Sequence, residues 1–380
     1  MARGHLAFAD PMLISYRLIT FVVTLTVSLT KKGAGLPAGS GSNPTTGSGK
    51  GGWPNPEPMN GTIPNNDRPL TLDPTMIRRA SDNKLFLYTT AKNGSVWTAD
   101  SLYGPWTHAG IAELPERGGA PSIHMINDTY YMYYNNHEFD YRTLGVKNKE
   151  AQTRPHGACL LAASSMTLEP GSWEQHGRLE IDWAMKYNIL DGALITVEDD
   201  NDTRHLLSFG SYQQGIFQLP LANPPTKLAD GAMDRLTHLA NNQSIAPVNG
   251  PTEASYIFKW QDYYYLFFSS GHCCVNREKA WTNVGDVYKV MVCRSKDPRT
   301  GYVDDQGRDC VNQSGGTEIL ASHDGIWAPG GQGIMTDEEA GGPIMYYHYV
   351  PYDEETNTPA MAYQFGWNKL DFSSGWPVVV

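Results

Sequence analysis

The chain has 380 residues, enough for one large domain or two of ordinary size, so length alone does not decide the architecture. Its formal net charge is −11, from 40 acidic and 29 basic side chains, and no run of Lys and Arg alternates with aromatic residues. Because proteins that bind phosphate backbones need a basic surface, this charge pattern excludes nucleic acid as an expected partner.

The N-terminal part of the chain has the features of a targeting segment followed by a linker. An apolar stretch from Leu18 to Leu29 is flanked by basic residues and is short for a membrane span. Residues 1–31 are therefore predicted to be a signal peptide, with a signal anchor as the alternative. Residues 32–67 are rich in Gly, Ser, Pro and Asn and are predicted to be a flexible linker, which leaves residues 68–380 as the folded domain.

Glycosylation sequons and cysteines both bear on the compartment. Six Asn-x-Ser/Thr sequons support passage through the secretory pathway, so we predict a secreted, extracellular glycoprotein. The sequons begin at Asn60, Asn93, Asn127, Asn201, Asn242 and Asn312. The five cysteines lack the CxxC pairs of a zinc site, and their odd number leaves at least one thiol unpaired within the chain. One or two disulfides are expected, and the sequence does not fix their pairing.

A short strand dense in aromatic residues recurs five times in the rest of the chain. Aromatic and β-branched residues bounded by turn residues indicate buried strands, and long segments of helical period are absent from the sequence. One such strand per roughly 45 to 80 residues is typical of propeller blades of four strands. We therefore predict an all-β, five-bladed β-propeller, with a jelly roll or β-sandwich as the alternative. The five strands are Lys84–Thr90, Thr129–Asn135, Arg204–Ser211, Asp262–Ser270 and Pro343–Tyr349.

Three acidic residues precede three of these strands by about one hairpin's length. Asp73, Asp191 and Glu253 each lie in an apolar segment marked by Pro or Gly. If each aromatic stretch is the second strand of a blade, each acid opens an innermost strand, and innermost strands line the channel of a propeller. Like charges in one partly dry funnel drive their pKa values apart. Cleavage of a glycosidic bond needs such a divergence, with one carboxylic acid protonated and one carboxylate ionised.

Several short, separated motifs occur in a fixed order from about Arg68 to the C-terminus. They are Asp73-Pro74, Ala120-Pro121, Ile189-Leu190-Asp191, Gly215-Ile216, Glu253-Ala254, Cys273-Cys274, Cys293-Arg294-Ser295, Gly315-Gly316-Thr317, Tyr347-His348-Tyr349 and Gly375-Trp376-Pro377. In this order they resemble the endo-α-1,5-arabinanase branch of the family 43 glycoside hydrolases. That family consists of five-bladed propellers, and this branch acts on arabinan.

The resemblance implies a role for each acid. Asp73 matches the general base that activates water, Glu253 the general acid, and Asp191 the residue that raises the pKa of the acid and orients it. Family members invert the anomeric configuration, which requires room for a water between base and acid. The resemblance also places His348 at a hydrated, calcium-like ion in the channel, although a histidine in a tyrosine-rich strand is equally a core residue. No other cofactor is expected.

Substrate contacts are expected around the funnel. Ala120, Pro121 and Ser211 lie in matching motifs and are predicted to bind substrate. Trp281 and Trp327 are predicted to be stacking platforms, because both lie in Gly- or Asn-marked loops that follow blades near the acids.

Three positions depart from the arabinanase pattern. Leu72 stands where the pattern has His, Gly119 where it has Trp, and Gln332 where it has His. Because a lost aromatic platform removes stacking area for a furanose ring, these departures leave hydrolysis better supported than the identity of the sugar.

Two alternative functions remain open from the sequence. One is an exo-acting α-L-arabinofuranosidase or β-xylosidase. Exo action needs a closed pocket and endo action an open groove, and the sequence does not show which of the two the loops between blades form. The other is a catalytically silent, carbohydrate-binding propeller that keeps the funnel but not turnover. In each case the expected partner is a polysaccharide or oligosaccharide, and the chain is expected to be a monomer without a stable membrane span.

Overall fold

The structure is a computed structural model. It describes residues 52–60, 71–90, 94–114, 118–139, 157–184, 186–199, 202–242, 250–273, 285–353, 355, 358–360 and 362–380. The predicted leader over residues 1–31, the sequons at Asn93 and Asn201, Cys274 and Trp281 lie outside the described residues. The boundaries at residues 31 and 67 stay predictions.

Five antiparallel sheets form the blades of a β-propeller, which confirms the predicted fold class. Blade I contains β1 (Thr75–Arg78), β2 (Leu85–Thr89), β3 (Ser95–Ala99) and β4 (Thr107–Ile111). Blade II contains β5 (Gly118–Ile126), β6 (Thr129–Phe139), β7 (Gly157–Ser165) and β8 (Glu174–Arg178). Blade III contains β9 (Ala193–Asp199), β10 (Asp202–Phe209), β11 (Ile216–Leu221) and β12 (Thr237–Ala240). Blade IV contains β13 (Thr252–Trp260), β14 (Tyr263–Ser270), β15 (Lys289–Ser295) and β16 (Thr317–Leu320). Blade V contains β17 (Ile326–Asp337), β18 (Gly342–Asp353), β20 (Gln364–Asp371) and β21 (Val378–Val379), and β19 (Thr358–Pro359) pairs with β18.

In blades I to IV the strands pair in chain order, and in blade V β18 pairs with both β19 and β20. The β5–β6 hairpin is the tightest kind, because only Asn127 and Asp128 connect the two strands, with φ of 46° and 63°. Asn and Asp tolerate this left-handed backbone, and two such residues give a turn whose twist matches that of paired strands. In the described part of the chain, helix is limited to the 3-10 turn Met233–Arg235, and no helix is long and apolar enough to cross a membrane.

The hydrophobic core lies between neighbouring blades. Side chains of β2 and β6, including Phe86, Tyr88 and Tyr134, pack together between blades I and II. Equivalent clusters join II to III, III to IV, IV to V, and V to I. The five aromatic stretches found in the sequence are the second strands of the five blades. Their alternate side chains face opposite sides of the sheet, so each second strand contributes to the clusters on both sides of its blade.

The N-terminal segment 52–60 lies against the junction between blades V and I. The Glu57 N–H donates to the Trp367 carbonyl (2.9 Å), and the Asn60 N–H donates to the Tyr103 carbonyl (2.5 Å). Met59 packs against the cluster between the two blades. Segment 52–60, which lies within the predicted linker, therefore contacts the propeller through its backbone and through Met59.

An ion-pair cluster also joins these two blades. The Arg78 Nε of β1 lies 2.5 Å from the Asp337 Oδ2 at the end of β17, and its Nη2 lies 2.9 Å from the Glu339 Oε2. The Asp337 side chain is 0% exposed, and that of Glu339 is 32% exposed. Glu339 also accepts from the Leu102 N–H (2.8 Å), so one carboxylate contacts both blades.

A disulfide lies in blade IV, and a further cysteine is buried in blade II. Cys293 of β15 is bonded to Cys310 in the segment before β16, which closes a loop of 17 residues. Cys273 is also disulfide-bonded. Cys159 lies buried in β7, where its thiol contacts the Asn136 carbonyl (3.7 Å). The Cys293–Cys310 disulfide therefore ties the long connection between β15 and β16 to β15 by a covalent bond.

Candidate active site

The same backbone feature occurs in or just before each of the five innermost strands. In each blade a three-residue segment lines one cavity where the innermost strands meet, and its first residue has a left-handed φ between 43° and 59°. We call these segments the funnel triplets. They are Asp73-Pro74-Thr75, Ala120-Pro121-Ser122, Asp191-Gly192-Ala193, Ala254-Ser255-Tyr256 and Gly331-Gln332-Gly333. A non-glycine residue in this region is unfavourable, by about 1–2 kcal/mol, and such strain is typical of functional sites.

A ring of hydrogen bonds holds these triplets. A polar residue in or shortly after the second strand of each blade lies at the funnel and bonds to the funnel segment of the next blade. The links run from Thr90 to Ala120 N–H (2.7 Å), from Asn135 to Asp191 (2.9 Å), from Ser211 to Glu253, from Ser269 to Gln332 (2.8 Å), and from His348 to Asp73 N–H (3.1 Å). We call this set the funnel ring. It was missed in the sequence, although a polar residue ending each aromatic strand was its signal.

Asp73 is the first residue of its triplet and faces the cavity. Its Oδ2 accepts from the Thr90 hydroxyl (2.8 Å), and 26% of its side chain is exposed. Burial of the carboxylate is the main cause that raises its pKa to about 7, and the negative charge of Asp191 raises it further. The Thr90 hydrogen bond acts in the opposite direction. Asp73 is therefore a carboxylate that titrates near neutral pH at the mouth of the cavity.

Asp191 occupies the equivalent position in blade III. It forms a reciprocal pair with Asn135, since its Oδ1 accepts from the Asn135 Nδ2 (2.9 Å) and its N–H donates to the Asn135 Oδ1 (2.8 Å). Its Oδ2 accepts from the Ala254 N–H (3.1 Å). Burial raises its pKa, while the bonds from Asn135 and Ala254 lower it. Asp191 thus joins blades II, III and IV at one carboxylate.

Glu253 directly precedes the triplet of blade IV and is 8% exposed. Its two oxygens accept separately from the Ser211 hydroxyl and the Tyr288 hydroxyl. Burial and then the charge of Asp191 raise its pKa to about 8, against the hydrogen bonds of both hydroxyls. The charge of Asp73 raises it as well, so the three carboxylates act on one another electrostatically. The structure therefore brings together the three acids that the sequence singled out.

Tyr288 is a site residue that sequence reasoning missed. It lies just before β15, is 3% exposed, and has a pKa raised well above the ordinary value by burial and by Glu253. It therefore stays protonated and donates to the glutamate. Its ring also stacks on His348, with centroids 5.9 Å apart and planes at 18°. No periodic signal marks Tyr288, because it follows a long connection and resembles the other tyrosines of the chain.

His348 lies in the channel wall beside Asp73 and is fully buried. Burial lowers its pKa to about 3, so the ring is neutral. Because its Nδ1 accepts the Asp73 N–H (3.1 Å), the ring proton belongs on Nε2, which has no hydrogen-bond partner among the described residues. A metal ligand needs a lone pair, and moving the proton to Nδ1 would break the contact with Asp73. Direct ligation through Nε2 would therefore require the other tautomer, and the predicted role of His348 at a hydrated, calcium-like ion stays a prediction.

The other predicted substrate contacts have different positions. Ala120 and Pro121 line the cavity as predicted from their motif. Ser211 is 4% exposed and donates to Glu253, so its hydroxyl serves the acid. Trp327 is 6% exposed and stacks on Tyr352 at 4.7 Å. The structure does not support Trp327 as a stacking platform, because both ring faces lie within the protein.

Two of the departures from the arabinanase pattern lie around the same funnel. Leu72 directly precedes the triplet of blade I and packs against a cluster with Trp327 and Val350. Gly119 directly precedes the triplet of blade II, and a Cβ there would meet the Thr90 side chain at 3.0 Å. Since Thr90 bonds to Asp73, a large side chain at position 119 would press on the hydrogen-bond partner of Asp73. Gly119 therefore leaves the wall beside Asp73 without an aromatic ring.

Comparison with known proteins decides the family. The model for glycosyl hydrolases family 43 matches residues 112–377. The chain belongs to this family. Among curated family relatives, the probable arabinan endo-1,5-alpha-L-arabinosidase C of Aspergillus flavus is 37% identical over 311 residues, covering 78% of this chain and 88% of the relative. The arabinan endo-1,5-alpha-L-arabinosidase A of Aspergillus niger is 36% identical over 321 residues, covering 81% and 90%.

Solved structures support the family 43 fold independently. The exo-1,5-alpha-L-arabinanase from a bovine ruminal metagenomic library aligns with a TM-score of 0.63 at 24% identity, covering 82% of this chain and 96% of that one. Native Bacillus subtilis arabinanase aligns with a TM-score of 0.62 at 24% identity, covering 81% and 97%. The predicted resemblance to family 43 is therefore confirmed in sequence and in fold.

Proposed function

We propose that this family 43 propeller hydrolyses α-1,5-linked arabinan by endo action and with inversion of configuration, in the degradation of plant cell walls. One observation carries the proposal: Asp73 and Asp191 line one cavity, Glu253 directly precedes Ala254 in the wall of that cavity, and the charges of both aspartates raise the pKa of Glu253. The names of the Aspergillus relatives support arabinan as substrate and endo action.

Asp73 and Glu253 carry out the chemistry. Asp73 accepts a proton from a water molecule as the water oxygen attacks the anomeric carbon. Glu253 gives its proton to the glycosidic oxygen as the bond from that oxygen to the anomeric carbon breaks. The products are a new reducing end with inverted configuration and a free hydroxyl on the leaving sugar. One proton enters Asp73 and one leaves Glu253, so exchange with solvent restores both groups.

The order of the pKa values supports this division of roles. The charges of both Asp191 and Asp73 raise the pKa of Glu253, whereas Asp191 is the one carboxylate that raises the pKa of Asp73, so Glu253 is the group that keeps its proton to higher pH. An ionised base beside a protonated acid is the state that hydrolysis requires. Asp191 favours that state, because its negative charge raises the pKa of Glu253 and its Oδ2 holds the adjacent Ala254 N–H.

The test is hydrolysis of linear α-1,5-arabinan by the wild type and by Glu253→Gln. Loss of the acid should lower the rate by about 10²–10⁴-fold, because this is the usual contribution of general acid catalysis. Proton NMR of the first product should show the inverted anomer. Release of oligosaccharides supports endo action. Release of arabinose alone would contradict endo action and support exo action. Binding of arabinan without any hydrolysis would refute the enzyme reading in favour of a silent carbohydrate-binding propeller.

Secretion and glycosylation are part of the same proposal, and signal anchoring is the alternative. The exposed Asn127 of the β5–β6 hairpin is open to a glycan. Asn242 is 3% exposed and its Nδ2 donates to the Ser270 hydroxyl (2.7 Å), so the folded protein cannot carry a glycan there. Peptide mass spectrometry of protein secreted by a eukaryotic host should find a glycan at Asn127 and none at Asn242. A monomer is proposed, and size-exclusion chromatography with light scattering measures it.

A further inference from the structure

The side chain of Gln332 bridges two blades next to the acid. Gln332 is 4% exposed and is the middle residue of the blade V triplet. Its Oε1 accepts from the Ser269 hydroxyl (2.8 Å), and its Nε2 donates to the Ala254 carbonyl (2.6 Å). Ser269 is the cross-strand partner of Glu253, and Ala254 follows Glu253 in the chain. Both contacts of this amide therefore lie beside Glu253 but not on its carboxylate.

The residue that Gln332 holds has an unfavourable backbone conformation. Ala254 has φ of 53°, in the left-handed region that side chains with a Cβ seldom adopt. Its N–H donates to the Asp191 Oδ2 (3.1 Å), and its carbonyl accepts from Gln332. The β13–β14 register shifts at this point, between Glu253 and Tyr256, so neighbouring ladder bonds do not hold the turn. Two side chains from other blades therefore fix the direction in which Glu253 leaves the backbone.

We propose that Gln332 is a positioning residue that aims the Glu253 carboxyl at the glycosidic oxygen. The inference rests on the proposed function and adds a residue to it. Without the amide, the Ala254 peptide can relax toward ordinary φ, and Glu253 then turns away from the hydroxyls of Ser211 and Tyr288. Proton donation suffers, whereas Asp73 keeps its own hydrogen bond from Thr90. This side chain is one of the three that depart from the arabinanase pattern, so the proposed role belongs to this chain.

Leaving-group dependence tests the proposal. Gln332→Met keeps the length of the side chain and removes both hydrogen bonds. Its kcat/KM should fall by about 10–100-fold on arabinan and on a phenyl arabino-oligosaccharide, because both leaving groups need a proton. On the dinitrophenyl analogue, which leaves without protonation, the change should stay within about threefold. Equal losses on both aryl substrates would overturn the proposal, since a general structural defect lowers both rates.

A matched control separates positioning from folding. Gln218 of β11 is 0% exposed, and its Nε2 donates to the Pro298 carbonyl (3.1 Å) in another part of the propeller. Gln218→Met therefore removes an equivalent buried amide bond. It should lower the thermal midpoint while leaving the ratio of the two aryl rates at the wild-type value. A changed ratio in this variant would mean that the ratio reports stability, and it would count against the proposal.

Crystal structures of the wild type and Gln332→Met keep this inference distinct from the proposed function. If the wild type cleaves neither arabinan nor the aryl glycosides, the proposed function fails by itself. The positioning role is then decided by coordinates. Displacement of the Glu253 carboxyl from Ser211 and Tyr288 in the variant supports it, and an unmoved Glu253 with unchanged Ala254 φ overturns it.

Discussion

Arg78 is expected to be a main determinant of stability at the junction of blades V and I. Arg78→Met removes the cation that pairs with Asp337, whose side chain is 0% exposed. Breaking a buried pair by removing one partner costs about 3–5 kcal/mol, because the remaining charge is left uncompensated. Asp337 keeps backbone bonds from Glu339 N–H (3.0 Å) and Ala340 N–H (3.2 Å), so we expect a loss near the lower limit, about 3 kcal/mol.

Thermal unfolding followed by tryptophan fluorescence measures this loss. For a domain of this size about 1 kcal/mol corresponds to about 2 °C, so the midpoint of Arg78→Met should fall by about 6 °C. The neighbouring Arg79 is a matched control, since its side chain is also 14% exposed but pairs with the exposed carboxylates of Asp82 and Glu169. Exposed pairs contribute about 1 kcal/mol or less, so Arg79→Met should shift the midpoint by about 2 °C. Equal shifts would refute the argument from burial.

Two further predictions concern the funnel, and a third concerns the exposed Trp183. Asp191→Asn removes the charge that raises the pKa of Glu253, so the alkaline limb of kcat/KM should move to lower pH, by about one unit. Tyr288→Phe removes a hydrogen bond that lowers the same pKa, so the alkaline limb should move to higher pH in this variant. If the alkaline limb moved in the same direction in both variants, its assignment to Glu253 would be contradicted. Trp183, which is 54% exposed in the segment that leads to Asp191, is expected to stack on the polysaccharide. Trp183→Ala should raise KM for arabinan and leave short aryl substrates unchanged, and equal KM values for arabinan would exclude the contact.

The fold was predictable because its repeating signal is local. Each second strand carries its aromatic residues consecutively, so five strands could be counted without knowing what they contact. The three acids were predictable for a related reason, since each opens an innermost strand at a similar distance before a second strand. Local spacing therefore predicted both the number of blades and the acids that converge.

Contacts between distant parts of the chain were not predictable in this way. Tyr288 reaches Glu253 after a connection of 35 residues, and nothing in the intervening sequence fixes where its hydroxyl points. Trp327 was expected to be a stacking platform in a Gly- or Asn-marked loop, but it belongs to β17 and stacks on Tyr352. The apolar residues of segment 52–60 gave no indication that they cover a junction formed by blades at opposite ends of the chain. In each case the missing information was tertiary packing.

The funnel ring has a consequence for altering this protein. Asp191 and Glu253 are each carried by one blade and hydrogen-bonded by the blade before it, through Asn135 and Ser211. To retune either carboxylate, the residue to exchange is therefore the anchor on the preceding blade, where a substitution changes proton affinity without replacing the carboxylate or its strand. These two anchors offer two nearly separate adjustments, and a directed-evolution library limited to them would sample catalytic behaviour while leaving the scaffold intact.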